Sequence, residues 1–113
     1  MTKGKVVLVP FPFDDLSATK VRPAVCLTNP VGKHSHVVLA FITSLIPSDL
    51  LETDYVLNTS HPDFAASGLH KPSTIRLDHL MTVRKSLIER ELGILSSDTQ
   101  AQIAEKLCKL LTE

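Results

Sequence analysis

Short apolar runs separated by turn-forming residues fill most of this chain, and a helical period appears only at its C-terminus. Lys5-Val6-Val7-Leu8-Val9 is rich in β-branched residues and runs into Pro10-Phe11-Pro12-Phe13. That pattern predicts a first strand over 5–9 that leaves its sheet at the prolines. Residues 14–20 are a polar loop of turn-forming side chains. A second strand is expected over 22–28, broken by Asn29-Pro30-Val31-Gly32. The third, over 36–43, is almost continuously apolar, as suits a strand buried on both faces. Pro47-Ser48 ends that pattern, and Asp54-Tyr55-Val56-Leu57-Asn58 forms a short fourth strand. Residues 59–72 carry Pro62, Gly68 and Pro72 and read as irregular, with a brief helical turn near Phe64-Ala65-Ala66. Ser73 to Asp78 alternates, placing Ile75 and Leu77 on one side and Arg76 and Asp78 on the other. A separate strand around Met81-Thr82-Val83, a turn through 85–88 and a last strand over 91–95 follow.

Ser97 and Gln100 stand at capping-box spacing and open a helix. Ile103, Leu107, Leu110 and Leu111 recur on one of its faces with Ala104 beside them, a stripe expected to lie in the core of the fold. Many short strands, tight turns and one terminal helix define a mainly β chain with α content. The expected architecture is a small barrel with the helix packed across it, in a single domain over 1–113. No internal repeat, low-complexity tract or linker interrupts it.

Composition agrees with a globular core, at 43% hydrophobic and 21% charged residues. No apolar run approaches the roughly 18 residues of a membrane span, and no signal-peptide pattern opens the chain, so a cytoplasmic protein without a membrane partner is expected. Cys26 and Cys108 fall in apolar patterns far apart and are expected to be buried, reduced thiols. Twelve basic residues balance twelve acidic ones. Neutrality counts against a nucleic-acid partner that needs a strongly basic domain. The charges are uneven, however: residues 49–63 hold four acids and no Lys or Arg, whereas Lys71, Arg76, Arg84 and Lys85 gather in 71–85 with Asp78. A local basic face is therefore expected there.

The five histidines lack metal-ligand spacing, and no Cys-x-x-Cys is present, so neither a metal nor any other cofactor is expected. No Gly-x-Ser-x-Gly elbow marks a nucleophile, and the scattered glycines build no phosphate-cradling loop. The stronger constellation is Arg22 with Thr43 and Ser44. Pro23 fixes the strand entrance behind Arg22, whose rigid fork of donors matches phosphate oxygens. Thr43 ends the third strand, and its hydroxyl adds a directional donor to the same anion if the two strands are neighbours. The other reading is structural: Arg22 pairs with Asp14 or Asp15, and Thr43 satisfies the backbone. Arg76 and Asp78 form a second pair, either an acid and a base for proton transfer or a surface ion pair.

In order and spacing, these segments resemble the MazF/PemK toxins of bacterial toxin–antitoxin systems. The resemblance runs through Gly4-Lys5-Val6-Val7-Leu8-Val9, Val21-Arg22-Pro23-Ala24-Val25 and Phe41-Ile42-Thr43-Ser44. It continues through Lys71-Pro72-Ser73-Thr74-Ile75-Arg76-Leu77-Asp78, Thr82-Val83-Arg84-Lys85-Ser86 and Leu92-Gly93-Ile94-Leu95-Ser96. It implies an SH3-like β-barrel that forms a homodimer and cleaves single-stranded RNA without a metal. Arg22 and Thr43 fall on the family's catalytic positions, Arg76 and Asp78 on secondary acid and base positions, and Lys20, Ser44 and Lys71 on the RNA-binding surroundings. The implied reaction is attack of a ribose 2′-hydroxyl on the adjacent phosphate, which explains a preference for RNA over DNA. The implied partner is a cognate antitoxin whose disordered, acidic and partly hydrophobic segment folds over the groove. Two departures stand out: Lys5 replaces a commonly acidic residue, and the loop over 14–20 has no histidine. The competing functions are a non-catalytic toxin on the same barrel, such as a DNA gyrase inhibitor, and a member that has lost activity.

Overall fold

In a computed structural model, which describes residues 2–12 and 19–113, the strands are Lys5–Pro12 (β1), Thr19–Cys26 (β2) and His36–Thr43 (β3). Asp54–Leu57 (β4), Ser73–Arg84 (β5) and Arg90–Ile94 (β6) complete the set. A four-residue helix, Phe64–Ser67 (α1), and a C-terminal helix, Ser97–Thr112 (α2), accompany them. The six strands form one antiparallel sheet in the order β4-β5-β3-β2-β1-β6, curled into a half-barrel. The mainly β architecture with a terminal helix is thus as the pattern predicts.

Several boundaries differ, each for a local reason. β1 continues through both prolines, which pair with β2 as Pro10↔Val21 and Pro12↔Thr19. β6 opposes β1 only from Lys5 to Leu8, so beyond Leu8 a missing N–H costs no ladder bond on that side. β2 accordingly starts at Thr19, not at 22, and ends at Cys26. Most of the polar loop assigned to 14–20, including Asp14 and Asp15, lies outside the described residues.

The larger difference is in β5, one strand where the sequence suggests two. Its pairing with β3 jumps from Ala40↔Leu80 to Phe41↔Arg76, leaving Leu77, Asp78 and His79 without opposite residues on β3. Three extra residues is an odd number, and side chains alternate with period two. The shift therefore sends Ile75 and Leu77 to one face of the sheet and Met81 and Val83 to the other. The burial pattern agrees. Val6, Val25, Ala40, Ile42, Ile75 and Leu77 belong to one cluster, whereas Val7, Val9, Ala24, Leu39 and Val83 belong to a second, with Met81 packed against it. Consecutive residues of β3, Leu39 and Ala40, are both fully buried, as expected of its unbroken apolar run.

Helix α2 packs on the first cluster through Ile103. Its N-cap is Ser96, one residue before the predicted capping box: Ser96 Oγ accepts from the Thr99 backbone N–H at 3.3 Å. Gln100 instead donates through Nε2 to the Leu95 carbonyl at 2.8 Å. The apolar stripe is buried only at its start. Ile103 is 2% exposed, but Leu110 is 36% and Leu111 72% exposed, because the helix runs past the sheet it packs on. The expectation that the whole stripe lies in the core is thereby corrected. Cys108 is exposed as well, contrary to the sequence reading. It follows Ile103 by five residues and so sits about 140° around the helix from it. Cys26 is buried, and burial pushes its thiol up to about 11 despite nearby Lys5, so it remains a neutral packing group.

Asp63 fastens α2 to the segment that carries α1. Its Oδ2 accepts from the Ser96 backbone N–H at 2.9 Å and from Ser96 Oγ at 2.8 Å. Behind α1, Gly93 of β6 lies so close that a Cβ there would overlap the Ala66 carbonyl, which makes a side chain intolerable at that point. Burial acts to raise the Asp63 carboxyl, but hydrogen bonds from Thr99 and Ser96 outweigh it, with the charge of His61 adding to them, and the carboxyl is held below its usual 3.8. A lowered native value stabilises the fold above the unfolded pKa, and that contribution is lost as pH falls through the native one. Urea midpoints of the wild type and Asp63→Asn should therefore differ at neutral pH and converge below about pH 4. A gap that persists unchanged into acid would show that the charge of Asp63 is not what holds Ser96.

Candidate catalytic face

The ladders bring Arg22, Thr43 and Arg76 of the predicted site residues onto one face of the sheet. β2 and β3 are neighbours with Ala24↔Phe41 as the last registered pair toward the site. Two further residues along each strand, past the end of this ladder, lie Arg22 and Thr43, which the same register carried on would set opposite one another. On its other side Thr43 pairs with Thr74 of β5, and Thr74 pairs with Val56 of β4. Thr43, Thr74 and Val56 thus form one row across three strands, and Arg22 lies on its extension to β2. The adjacent row is Ala24, Phe41, Arg76 and Asp54. Neighbours along each strand, including Val25, Ile42, Ile75 and Tyr55, point into the cluster that contains Ile103 of α2. The two rows therefore lie on the face turned away from α2.

Arg22 is exposed in the middle of β2, opposite Val9 of β1 and not at the strand entrance that the sequence suggests, and Thr43 is half-buried at the end of β3. The Thr43 hydroxyl accepts a long hydrogen bond, 3.3 Å, from the Leu45 backbone N–H. This closes the turn after β3 and leaves the hydroxyl proton available to donate. Ser44 follows directly and is exposed. Lys71 is exposed two residues before β5, at the end of that strand where Thr43 meets Thr74. Lys20 is placed by its backbone alone, opposite Phe11.

Arg76 and Asp78 have a different setting. Arg76 Nε lies 3.0 Å from Asp54 Oδ1 and 3.8 Å from Asp78 Oδ1. The Asp54 side chain is 0% exposed and that of Arg76 28% exposed, so the guanidinium is held chiefly by a buried acid on β4. Asp54 Oδ2 also accepts from the Leu51 backbone N–H at 3.0 Å, which ties the approach to β4 to the same acid. Asp78 stands in the unopposed segment of β5, with Oδ2 3.7 Å from His79 Nε2. The basic face expected over 71–85 does not form as one patch. Lys71 precedes β5 and Arg84 and Lys85 lie at its far end, with Arg76 between them already engaged. Charges two or more residues apart on an extended strand are spread by its roughly 3.3 Å rise per residue.

Sequence reasoning missed Asp54 and Thr74. For Asp54 no local signal exists, because its pairing with Arg76 joins residues on different strands. Thr74 was visible as a member of the polar side of the alternating run that contains Arg76 and Asp78. Among the described residues, no group of three or more His, Cys, Asp or Glu side chains is arranged to hold a metal ion. No helix there is long and apolar enough to cross a membrane.

A curled antiparallel half-barrel with a C-terminal helix, bearing polar and charged side chains on the face turned away from that helix, defines a small mainly β domain. The chain belongs to the PemK-like, MazF-like toxins of type II toxin–antitoxin systems, whose family model matches residues 2–111. Among solved structures it is similar to the Mycobacterium tuberculosis toxin MazF-mt6, with a TM-score of 0.71 and 22% identity over 95% of each chain. It is also similar to a mycobacterial endoribonuclease in complex with its cognate antitoxin, with a TM-score of 0.69 and 18% identity over 98% of this chain and 94% of that one. MazF in the MazE–MazF complex from Deinococcus radiodurans gives a TM-score of 0.66 and 17% identity over 98% and 95% of the two chains. No curated protein sequence matches.

Proposed function

We propose that this toxin is a sequence-selective endoribonuclease that cleaves single-stranded RNA without a metal ion. The observation that supports the reading most is that exposed Arg22 and Thr43 stand on adjacent strands, each two residues past the Ala24↔Phe41 pair, in a chain of this family. A phosphate resting there meets a permanent cation with two or more donors and, beside it, a hydroxyl donor. In the reaction the ribose 2′-oxygen bonds to phosphorus as the bond from phosphorus to the 5′-oxygen breaks. One proton leaves the 2′-hydroxyl and one is delivered to the departing 5′-oxygen, giving a 2′,3′-cyclic phosphate and a free 5′-hydroxyl. Arg22 neutralises the charge that builds on the phosphoryl oxygens and is placed to supply the leaving-group proton, and Thr43 steadies the same group. Exposed Asp78 is the secondary candidate for accepting the 2′ proton. Arg76, held by Asp54, orients that carboxylate rather than touching the phosphate. Ser44 and Lys71, with Lys20 across the loop, flank the row and bind the neighbouring RNA backbone.

The proposed assembly is a homodimer that a cognate antitoxin blocks, in line with the antitoxin complexes solved for the mycobacterial and Deinococcus proteins. The test is direct. Purified protein incubated with a long single-stranded RNA in EDTA should cut at one recurring short sequence. Mapped fragments should carry 5′-hydroxyl and 2′,3′-cyclic phosphate ends, and the all-deoxy strand should stay whole. Intact RNA across diverse sequences would sink the proposal, and arrest of DNA supercoiling alongside it would mark a binding toxin instead.

A further inference from the structure

Among the described residues, three buried side-chain atoms lack a hydrogen-bond partner: Asp54 Oδ1, Thr74 Oγ1 and Arg76 Nε. All three belong to the two rows of the candidate face. Asp54 Oδ1 and Arg76 Nε compensate each other by charge at 3.0 Å. Thr74 has no such compensation. It is 0% exposed, flanked by Thr43 on one strand and Val56 on the other. Burying a hydroxyl without a partner is unfavourable, and a valine would fill the same space without that cost. A threonine at this point therefore calls for a reason beyond packing.

Thr43 supplies it. Residues directly opposite across an antiparallel pair have Cβ atoms about 4.5–5.5 Å apart, close enough for two threonines to hydrogen-bond. Thr74 Oγ1 makes no such bond in this structure, so the contact forms by a turn about χ1 of one of the two side chains when RNA is bound. Thr43 Oγ1 has two lone pairs and one proton. One lone pair receives the Leu45 N–H at 3.3 Å. Once the proton turns toward a phosphate, the second lone pair is left for another donor, and Thr74 is the neighbour in register. We propose that Thr74 is a positioning residue of the RNA site, whose hydroxyl donates to Thr43 Oγ1 and holds the Thr43 proton on the scissile phosphate. This rests on the endoribonuclease reading above and adds to it a residue that never touches the substrate.

The test compares wild type, Thr74→Val, Thr74→Ser, Thr43→Val and the Thr43→Val/Thr74→Val double variant. Each is assayed in single-turnover cleavage of a labelled single-stranded RNA, in binding of the same RNA carrying uncleavable 2′-O-methyl groups, and in thermal melting. Thr74→Val should slow cleavage about tenfold, the loss of one useful hydrogen bond. Its melting temperature should equal or exceed that of the wild type, and its affinity for the 2′-O-methyl RNA should be unchanged. Thr74→Ser should keep the wild-type rate. In the Thr43→Val background, Thr74→Val should change nothing further, because its effect passes through Thr43. Wild-type cleavage by Thr74→Val, equal losses in the serine and valine variants, or a further loss in the double variant would each overturn the inference. So would a Thr74→Val that melts early, which would mark a packing residue. If the wild type itself fails to cut RNA, the endoribonuclease reading falls and takes this with it. If the wild type cuts and Thr74→Val is indifferent, only Thr74 falls.

Discussion

Replacing Arg22 with alanine is expected to lower RNA cleavage by about 10²–10³-fold, the usual cost of removing one donor aimed at charge that develops in the transition state. The residue is exposed on β2, where its backbone pairing with Val9 does not depend on the side chain, so the loss should come with little change in stability. Pro23 follows it and fixes the backbone direction there, which keeps the alanine variant folded in the same register. Arg22→Lys should recover only part of the rate, since an ammonium restores the charge but not the planar fork that engages two phosphate oxygens. Gel-based cleavage rates and thermal melts on the same preparations check both halves of the expectation. Undiminished cleavage by the alanine variant would remove Arg22 from the mechanism and transfer the burden to Thr43 and Asp78.

The largest effect on stability is expected at Asp54. Asp54→Ala should cost about 3–5 kcal/mol, because it leaves a mostly buried guanidinium without its main counter-charge. One further loss adds to this: the Leu51 N–H, now bonded to Asp54 Oδ2 at 3.0 Å, loses its acceptor. The same ion pair, at 3.0 Å, is what holds Arg76 in place beside Phe41 and Asp78. Asp54→Asn should be milder, since an amide oxygen still accepts from Leu51 while the charge is gone. Urea denaturation of the two variants separates the contributions. A loss below about 1 kcal/mol for alanine would mean that Arg76 finds water instead, as exposed pairs do.

How far the chain could be read from its sequence depended on whether a signal was local. β3 and β4 were legible because each is a compact apolar run bounded by turn residues, and their observed limits fall within a residue of the pattern. β5 was not, because Asp78-His79 interrupts the apolar alternation and reads as a gap, whereas the backbone continues through it unopposed. The start of α2 was missed by one residue, since Ser96 and Ser97 are chemically alike and only the tether from Asp63 selects the first. The stripe of α2 shows which side is apolar but not how far the sheet extends beneath it. At the site, Arg22 and Thr43 were legible as a pair once two strands were assumed to be neighbours. The role of Asp54 depends on a contact between strands that no spacing encodes, and that contact sets Arg76 against a buried counter-charge.

The unopposed Leu77-Asp78-His79 segment has a consequence for how this protein can vary. Removing two of the three residues leaves a one-residue bulge, across which Leu80 still meets Ala40 and both apolar clusters survive. Removing one or all three makes the excess even, and plain alternation then carries Met81 and Val83 to the same face with no bulge. What fixes the faces is thus the pairing with β3 on either side of the segment and not its length. The segment works as slack in the strand, and a tally of its length in relatives should show odd and even steps alike.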